Sequence, residues 1–453
     1  MKNYYILLLL STVLLFSCKK WLDIKSNLSD VTPGTLEDYQ AMADNDAIIN
    51  TGTPGLALNS SDNFYVTYTT WQSLNATGRN CYTWTAEVYE GASPQDWSWP
   101  YKSLEMANII LEGIASIPVT QTNQAQWNNV KGSALFIRAM VFYHLAQTFA
   151  PSYTASTAAI DLGIPLRLTT DVNIQSTRAS VEQTYQQIIA DLTAAENLLP
   201  IVAAYQTRPS KPALYGLLAK TYLNMGNYTK AQDYANKALT LYSSLLDYNG
   251  LTASSTAPLP VYPNNTEIIY YSTSFLPTIL LNNSPITDSL LYQSYSANDL
   301  RKTVCYRLNT NLPIFKGFYT GKTNSFFSGI ATNELYLIRA EANARLNNTA
   351  AALTDLNTLL QKRWKTGSFI PVTAVTADDA LAKILTERRK ELPFTGSTRW
   401  EDLRRLNKEP AFAKTLTRVI NNQTYTLSPN DPKYTLPIPD DEIRLSGIKQ
   451  NIR

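Results

Sequence analysis

Residues Pro212–Leu239 read PALYGLLAKTYLNMGNYTKAQDYANKAL. Tyr215, Leu218, Ala219 and Tyr222 fall at offsets of three, four and seven, which puts them on one face of a helix. Asn224-Met225-Gly226-Asn227 follows as a tight turn, where Gly226 can take a left-handed conformation at little cost. Ala231, Ala235 and Ala238 then give a second helix a face of small side chains, so that the two helix axes can approach closely.

A second stretch repeats the pattern. In Asn333–Leu360, NELYLIRAEANARLNNTAAALTDLNTLL, the residues Tyr336, Ala340, Asn347-Asn348 and Ala352 stand where Tyr215, Ala219, Gly226-Asn227 and Ala231 stand in the first. Bulky residues on the first helix and alanines on the second follow the logic of a tetratricopeptide (TPR) unit, which cannot bury its own face and calls for neighbours. Further helices are expected at Trp97–Ile117, Gln126–Thr148, Val181–Leu198 (with Ser180 and Gln183 as a capping box) and Ala377–Leu392 (starting at Thr376). Gln126–Thr148 is apolar on two faces and reads as buried on most sides. The fold class is therefore mainly α: a TPR-like helical-hairpin superhelix with helical pairs at about 97–148, 181–241 and 333–392. Long irregular aromatic-rich loops at about 45–96 and 243–331 pack against it, with minor β, including a short strand within Thr266–Phe275. Leu436-Pro437-Ile438-Pro439-Asp440-Asp441-Glu442-Ile443 reads as an extended, Pro-rich C-terminal stretch.

The first residues are a targeting segment. Lys2 supplies a positive charge, and Tyr4–Phe16 is an apolar run too short to span a bilayer. It ends Val13-Leu14-Leu15-Phe16-Ser17-Cys18, the pattern of a bacterial lipoprotein cleavage site, so residues 1–17 read as the signal peptide and Cys18 as the lipidated residue. Residues 18–453 would then form a single domain on a lipid anchor. Cys81 and Cys305 remain, and the sequence leaves open whether they pair or stay free and buried.

Composition narrows the chemistry. With 453 residues and a net charge of +3, the chain has no broad attraction to nucleic acid. His144 is the single histidine and sits in an apolar helix with no nucleophile or carboxylate at helical spacing, so it reads as a hydrogen-bonded structural residue. Gly321-Lys322-Thr323 resembles the end of a phosphate-binding loop, but Lys316 stands where the required glycine should be. Acids and bases alternate in Glu387–Glu391 and Arg399–Arg405, which reads as an ion-pair network tying the C-terminal part to the scaffold.

The best site candidate is Asn59–Trp99. Its Phe64, Tyr65, Tyr68, Trp71, Tyr82, Trp84, Tyr89, Trp97 and Trp99 are about twice as dense as aromatics in the chain as a whole. Flat rings stack on sugar C–H faces or peptide side chains, and interleaved amides and charges hydrogen-bond hydroxyls. The candidate ligand-binding set is Asp62, Asn63, Tyr65, Tyr68, Trp71, Arg79, Asn80, Tyr82 and Trp84, with Tyr292, Tyr295 and Tyr319 from the second loop region. No catalytic residue and no metal ligand is expected, and no cofactor is called for; whether a structural calcium ion helps hold the site is left open.

With these landmarks assembled, the chain resembles the SusD/RagB family of Bacteroidetes outer-membrane lipoproteins from Cys18 to its last residues. The stretches that carry the resemblance are Cys18-Lys19-Lys20-Trp21-Leu22-Asp23, Tyr101…Ala107-Asn108-Ile109-Ile110-Leu111-Glu112, Lys131–Ala139, Gly163-Ile164-Pro165-Leu166, Arg208-Pro209-Ser210-Lys211, Ile338–Ala342, Glu387–Leu392 with Arg399–Arg404, and Leu436–Pro439. Thr395-Gly396-Ser397-Thr398 departs from the Glu-Gly that the family usually carries before its Arg-Trp. The resemblance implies a cell-surface protein that captures a glycan or a peptide without catalysis; an oligosaccharide is the expected ligand, and a peptide-binding (RagB-like) or TPR-type interaction protein is the alternative. It further implies delivery to a SusC-like TonB-dependent transporter.

Overall fold

The computed structural model describes residues 33–283 and 285–453; the signal segment and Cys18 lie outside these. The architecture is mainly α, and strands occur among the described residues only as short antiparallel pairs.

The opening hairpin forms as its sequence dictates. Ser210 caps the helix Lys211–Asn224 by accepting from the Ala213 amide, and Pro212 occupies the first turn, where no intrahelical donor is needed. Gly226 turns the chain with φ +73°, and Asn227 caps Tyr228–Leu241 by accepting from the Lys230 amide. Ala231, Ala235 and Ala238 are fully buried between the two axes, and Tyr222 stacks on Tyr234 with ring planes 1° apart. In the second hairpin, Thr332–Arg345 and Thr349–Gln361, Asn347 takes the left-handed turn position with φ +62°. The two hairpins are neighbours in the stack although they are far apart in sequence. Gln232 donates to Asn343 at 2.9 Å, and Arg339 donates to Asn236 at 2.9 Å.

The helix Gln124–Phe149 lies between Gln95–Ile114 and Val181–Ala195, which explains why it is apolar almost all round. One continuous core runs from Phe136 and Phe142 through Leu217 and Leu218 to Leu335 and Ile338. Leu436 and Ile438 of the C-terminal stretch join that core, and the Leu436 amide donates to Thr148 at 3.0 Å. The C-terminal stretch is thus packed into the helical core. The capping box at Ser180 and the cap at Thr376 form as expected, and the strand in Thr266–Phe275 is Ile268–Tyr270, paired with Ile330–Ala331.

Three elements differ from the sequence reading. The region 45–96 contains the helices Asp46–Ile49, Leu56–Ser60, Tyr68–Gln72 and Ala76–Thr83, each too short to show a helical period. The last two are capped by Thr67 and Asn75. At the C-terminus only the stretch up to Pro439 is extended; Asp440–Ser446 is a helix whose first turn holds three acids facing its positive end. Leu416–Ile420 and Gln423–Leu427 form an unanticipated hairpin, turned by Asn421 and Asn422 with φ 49° and 61°.

The alternating charges do form an ion-pair network, and it is buried. Arg363 holds Glu267 at 2.7 Å and Glu391 at 2.8 Å. Arg301 holds Asp299 at 2.7 Å, Glu387 at 2.6 Å and Glu391 at 3.1 Å. Arg388 joins Glu334 at 2.9 Å to Asp402 at 2.8 Å, and Arg405 bridges Asp402 and Glu341. Burial alone would raise the Asp402 carboxyl; Arg388 and Arg405 outweigh it and hold it down at about 2. Cys81 and Cys305 are free and buried, and burial pushes both thiols up to about 12.

His144 is structural, as expected, but not hydrogen-bonded. It is 5 % exposed, and neither ring nitrogen has a partner among the described residues; the Ser328 main chain lies near the ring without meeting it in hydrogen-bond geometry. Burial, reinforced by Lys220, pushes its pKa down to about 3. The folded ring stays neutral while an unfolded chain takes up a proton below pH about 6.5, so this contribution to stability is complete above pH 6.5 and is lost as the pH falls towards 3. Urea unfolding at pH 7 and pH 5 should show the wild-type chain losing roughly 2 kcal/mol relative to His144→Gln across that interval. Parallel losses in the two proteins would refute the neutral, desolvated ring.

Candidate ligand-binding face

The loop that carries the candidate rings is pinned from behind by one cation. The Arg418 guanidinium lies over the Tyr82 ring at 3.6 Å and the Trp84 ring at 4.5 Å. It also donates to the carbonyls of Ser60, Ser61 and Tyr82. Burial pushes its pKa down to about 10. Trp84 sits in the left-handed region at φ 55° and donates its indole N–H to Ser60 at 3.0 Å. Tyr82 accepts from the Val66 amide through its hydroxyl at 3.1 Å. The expectation that Tyr82 and Trp84 stack on a ligand is thereby corrected. They are 1 % and 3 % exposed, and their faces are taken up by the protein itself.

The polar candidates divide in the same way. Asp62 is held by Arg399 at 2.6 Å, Lys414 at 2.9 Å and Arg389 at 3.5 Å, and these cations, Arg389 first, hold its carboxyl well below the usual range against the opposing effect of burial. Asn63 is buried and accepts from Arg389. Asn80 donates to Glu90 at 2.8 Å and to Val88 at 3.3 Å, and Arg79 donates to the Leu74 carbonyl. From the second loop region, Tyr295 is 1 % exposed and donates to the Lys390 carbonyl at 2.7 Å, so it too is corrected to a core residue. Tyr319 is half-buried, packs on Phe327 and donates to Glu267. Tyr292 is half-buried with the Lys302 ammonium 5.3 Å above its ring.

Tyr65, Tyr68 and Trp71 remain available. In the strand Phe64–Tyr65, alternation sends Phe64 into the core and Tyr65 out to solvent. The cap at Thr67 starts the helix Tyr68–Gln72, which places Tyr68 and Trp71 on one face at a spacing of three. Their rings are stacked, with centroids 6.0 Å apart and planes at 22°. Trp71 rests against the apolar cluster of Leu58, Phe64 and Val66 and donates to the Arg79 carbonyl at 3.4 Å. Arg79 and Asn80 therefore act here as anchors of the loop. Gln72, which sequence reasoning missed, donates to the Tyr68 hydroxyl at 2.7 Å; the Thr67 cap, followed by Tyr68 and Gln72 four residues apart, was the signal that could have found it. Pairing of Tyr65 with Ile286 brings the second loop region alongside, with Leu290 exposed nearby in sequence. Among the described residues no His, Cys, Asp or Glu group gathers as a metal site. The arrangement offers a shallow aromatic platform edged by an amide and hydroxyls, suited to holding a flat, hydroxylated partner.

Comparison with known proteins bears on the family and the fold. Residues 20–223 match the family model described as "Starch-binding associating with outer membrane", and residues 321–452 match the one described as "SusD family". The chain belongs to the SusD/RagB superfamily. A SusD-like protein P2 of Formosa agariphila is 24 % identical over 78 % of this chain and 79 % of its own length. A SusD superfamily protein of Bacteroides thetaiotaomicron shares the fold with a TM-score of 0.70 at 22 % identity, covering 92 % of this chain and 100 % of that one. A SusD-like carbohydrate binding protein of Bacteroides vulgatus does so with a TM-score of 0.70 at 21 % identity, covering 91 % and 97 %. SusD/RagB proteins bind and do not catalyse, so this chain is a SusD-like nutrient-binding protein and not an enzyme. Among the described residues no helix is long and apolar enough to cross a membrane.

Asp62 serves the SusD-like scaffold by gathering Arg389, Arg399 and Lys414 under the loop. Asp62→Asn should lower unfolding free energy by about 3 kcal/mol in urea titration, since it leaves these cations without their shared carboxylate. A change within about 0.5 kcal/mol would show Asp62 to be a surface group of little structural weight.

Proposed function

We propose that the chain is a cell-surface lipoprotein that captures an oligosaccharide on the platform of Tyr65, Tyr68 and Trp71. It then delivers the sugar to a SusC-like TonB-dependent transporter. Lipidation of Cys18 anchors it to the outer membrane. The observation that carries this reading is the stacked pair of exposed Tyr68 and half-buried Trp71, with Gln72 donating to the Tyr68 hydroxyl and Tyr65 also exposed. A sugar ring presents C–H bonds on its faces and hydroxyls on its rim, which matches an aromatic surface edged by an amide and phenolic hydroxyls. The carbohydrate named for the Bacteroides vulgatus structural relative and the starch named for the matching family model support the same ligand class. The peptide alternative would use the helical groove rather than the aromatic loop.

A glycan array followed by calorimetry on the hit identifies the ligand. Trp71→Ala and Tyr68→Ala should each weaken its affinity by about tenfold, near 1.4 kcal/mol; Tyr68→Ala should keep an unfolding curve close to that of the wild-type chain, whereas Trp71→Ala also loses its packing on the Leu58, Phe64 and Val66 cluster. Trp84→Ala should instead lower stability. Unchanged affinity in both Trp71→Ala and Tyr68→Ala would remove the platform from the mechanism. Cys18→Ser should release the protein from the outer-membrane fraction and abolish incorporation of labelled fatty acid; a membrane-bound, unlabelled variant would refute the anchor.

A further inference from the structure

From Asn63 to Gly78, and again from Ile268 to Thr287, the sequence contains no Asp, Glu, Lys, Arg or His. The fold brings these two uncharged stretches together. Phe64 and Tyr65 pair with Thr287 and Ile286, and Thr278 lies against Gly78. One apolar cluster takes Phe64, Val66 and Leu74 from the first stretch and Ile279 and Leu280 from the second.

Burial accounts for the lack of charge at those inner positions but not at the outer ones. Tyr65, Thr67, Tyr68, Thr69, Gln72 and Ser73 are exposed, as is Thr278 in the second stretch. On an ordinary protein surface about a quarter to a third of residues are charged. Here the outer positions carry only rings, hydroxyls and an amide.

The charges that flank the two stretches do not supply what is missing. Asp62 is shared by Arg399, Lys414 and Arg389, and Glu267 is ion-paired with Arg363 in the interior. Arg79 directs a guanidinium N–H to the Leu74 carbonyl, and its neighbour Asn80 holds the exposed carboxylate of Glu90 at 2.8 Å. The Asp288 carboxylate caps the helix Ser289–Gln293. The margins thus carry both signs, and no cation rises from the platform itself. A carboxylate or sulfate laid on such a face gives up its water without meeting a charge-assisted donor. A neutral hydroxyl exchanges its water for amide and hydroxyl partners at little cost.

We propose that the platform selects uncharged oligosaccharides and rejects those whose sugars carry a carboxylate or a sulfate. This rests on the reading of Tyr65, Tyr68 and Trp71 as the sugar-binding platform, and it narrows the ligand of that site to neutral glycans.

The test applies the full chain to an array of oligosaccharides of equal length that are neutral, uronate-bearing or sulfated. The strongest binders should be neutral and should lose affinity in Tyr68→Ala. The uronate-bearing or sulfated form of the same backbone should bind at least about tenfold more weakly, the cost of one polar group left without a partner. Raising NaCl from about 50 mM to about 500 mM should leave the neutral affinities within about twofold, because no ion pair is there to be screened. Thr69→Lys, which sets one cation on the exposed side of helix Tyr68–Gln72, should raise the ratio of acidic to neutral affinity by about threefold or more. An acidic oligosaccharide as the strongest binder, weakened by Tyr68→Ala, would overturn the selection and leave the platform standing. So would an affinity ratio that Thr69→Lys does not move, or neutral affinities that collapse with salt. An array on which no binder responds to Tyr68→Ala would remove the platform itself, and the selection with it.

Discussion

Glu391 accepts from Arg301, Arg363 and Asn333 in a space with no measurable solvent exposure of its carboxylate. Around it, Arg363 reaches Glu267 in the second loop region, and Arg301 reaches Asp299 and Glu387. Arg388 and Arg405 continue the chain of charges through Glu334, Asp402 and Glu341 into the TPR-like helices. These pairs connect parts of the chain that are far apart in sequence. A buried ion pair gives little net stability over a well-packed apolar alternative, but removing one partner strands the other in low dielectric. The network therefore acts as a register: only one docking of the loops on the helices satisfies every charge. The loops depend on that docking because they have little regular structure of their own.

The same economy governs the aromatic loop. An abundance of rings in an irregular segment has two physical uses, filling volume where helices cannot pack and offering flat faces to a ligand. Arg418 separates them. Its guanidinium lies over Tyr82 and Trp84 and ties down three carbonyls, so those rings build the back of the loop. Tyr65, Tyr68 and Trp71, on the outward side of a short strand and a capped turn of helix, are left for the front. The division follows from a residue more than three hundred positions downstream, on a hairpin that the sequence reading did not anticipate.

The scaffold was legible because its signals are local. Offsets of three, four and seven, alanines at close-packing positions, Ser180 with Gln183, and Thr376 before an apolar run each report on one helix or one turn. The helices Leu56–Ser60 and Tyr68–Gln72 escaped because five residues cannot establish a period, although the Thr67 cap marked one of them. The alternating acids and bases at Glu387–Glu391 and Arg399–Arg405 showed that a network would form. They could not show that it would be buried, since burial is a property of what packs on top.

By itself the sequence determined the helical hairpins, their caps and turns, the small-residue faces that let them stack, the family resemblance and the loop in which a platform could lie. Tertiary structure alone decided which rings of that loop face solvent and that Asp62 is a structural counter-ion. The physical reason is range. Helix formation and capping are settled within four residues along the chain. Exposure and charge pairing are settled by neighbours that arrive from hundreds of residues away, and no local pattern encodes their arrival.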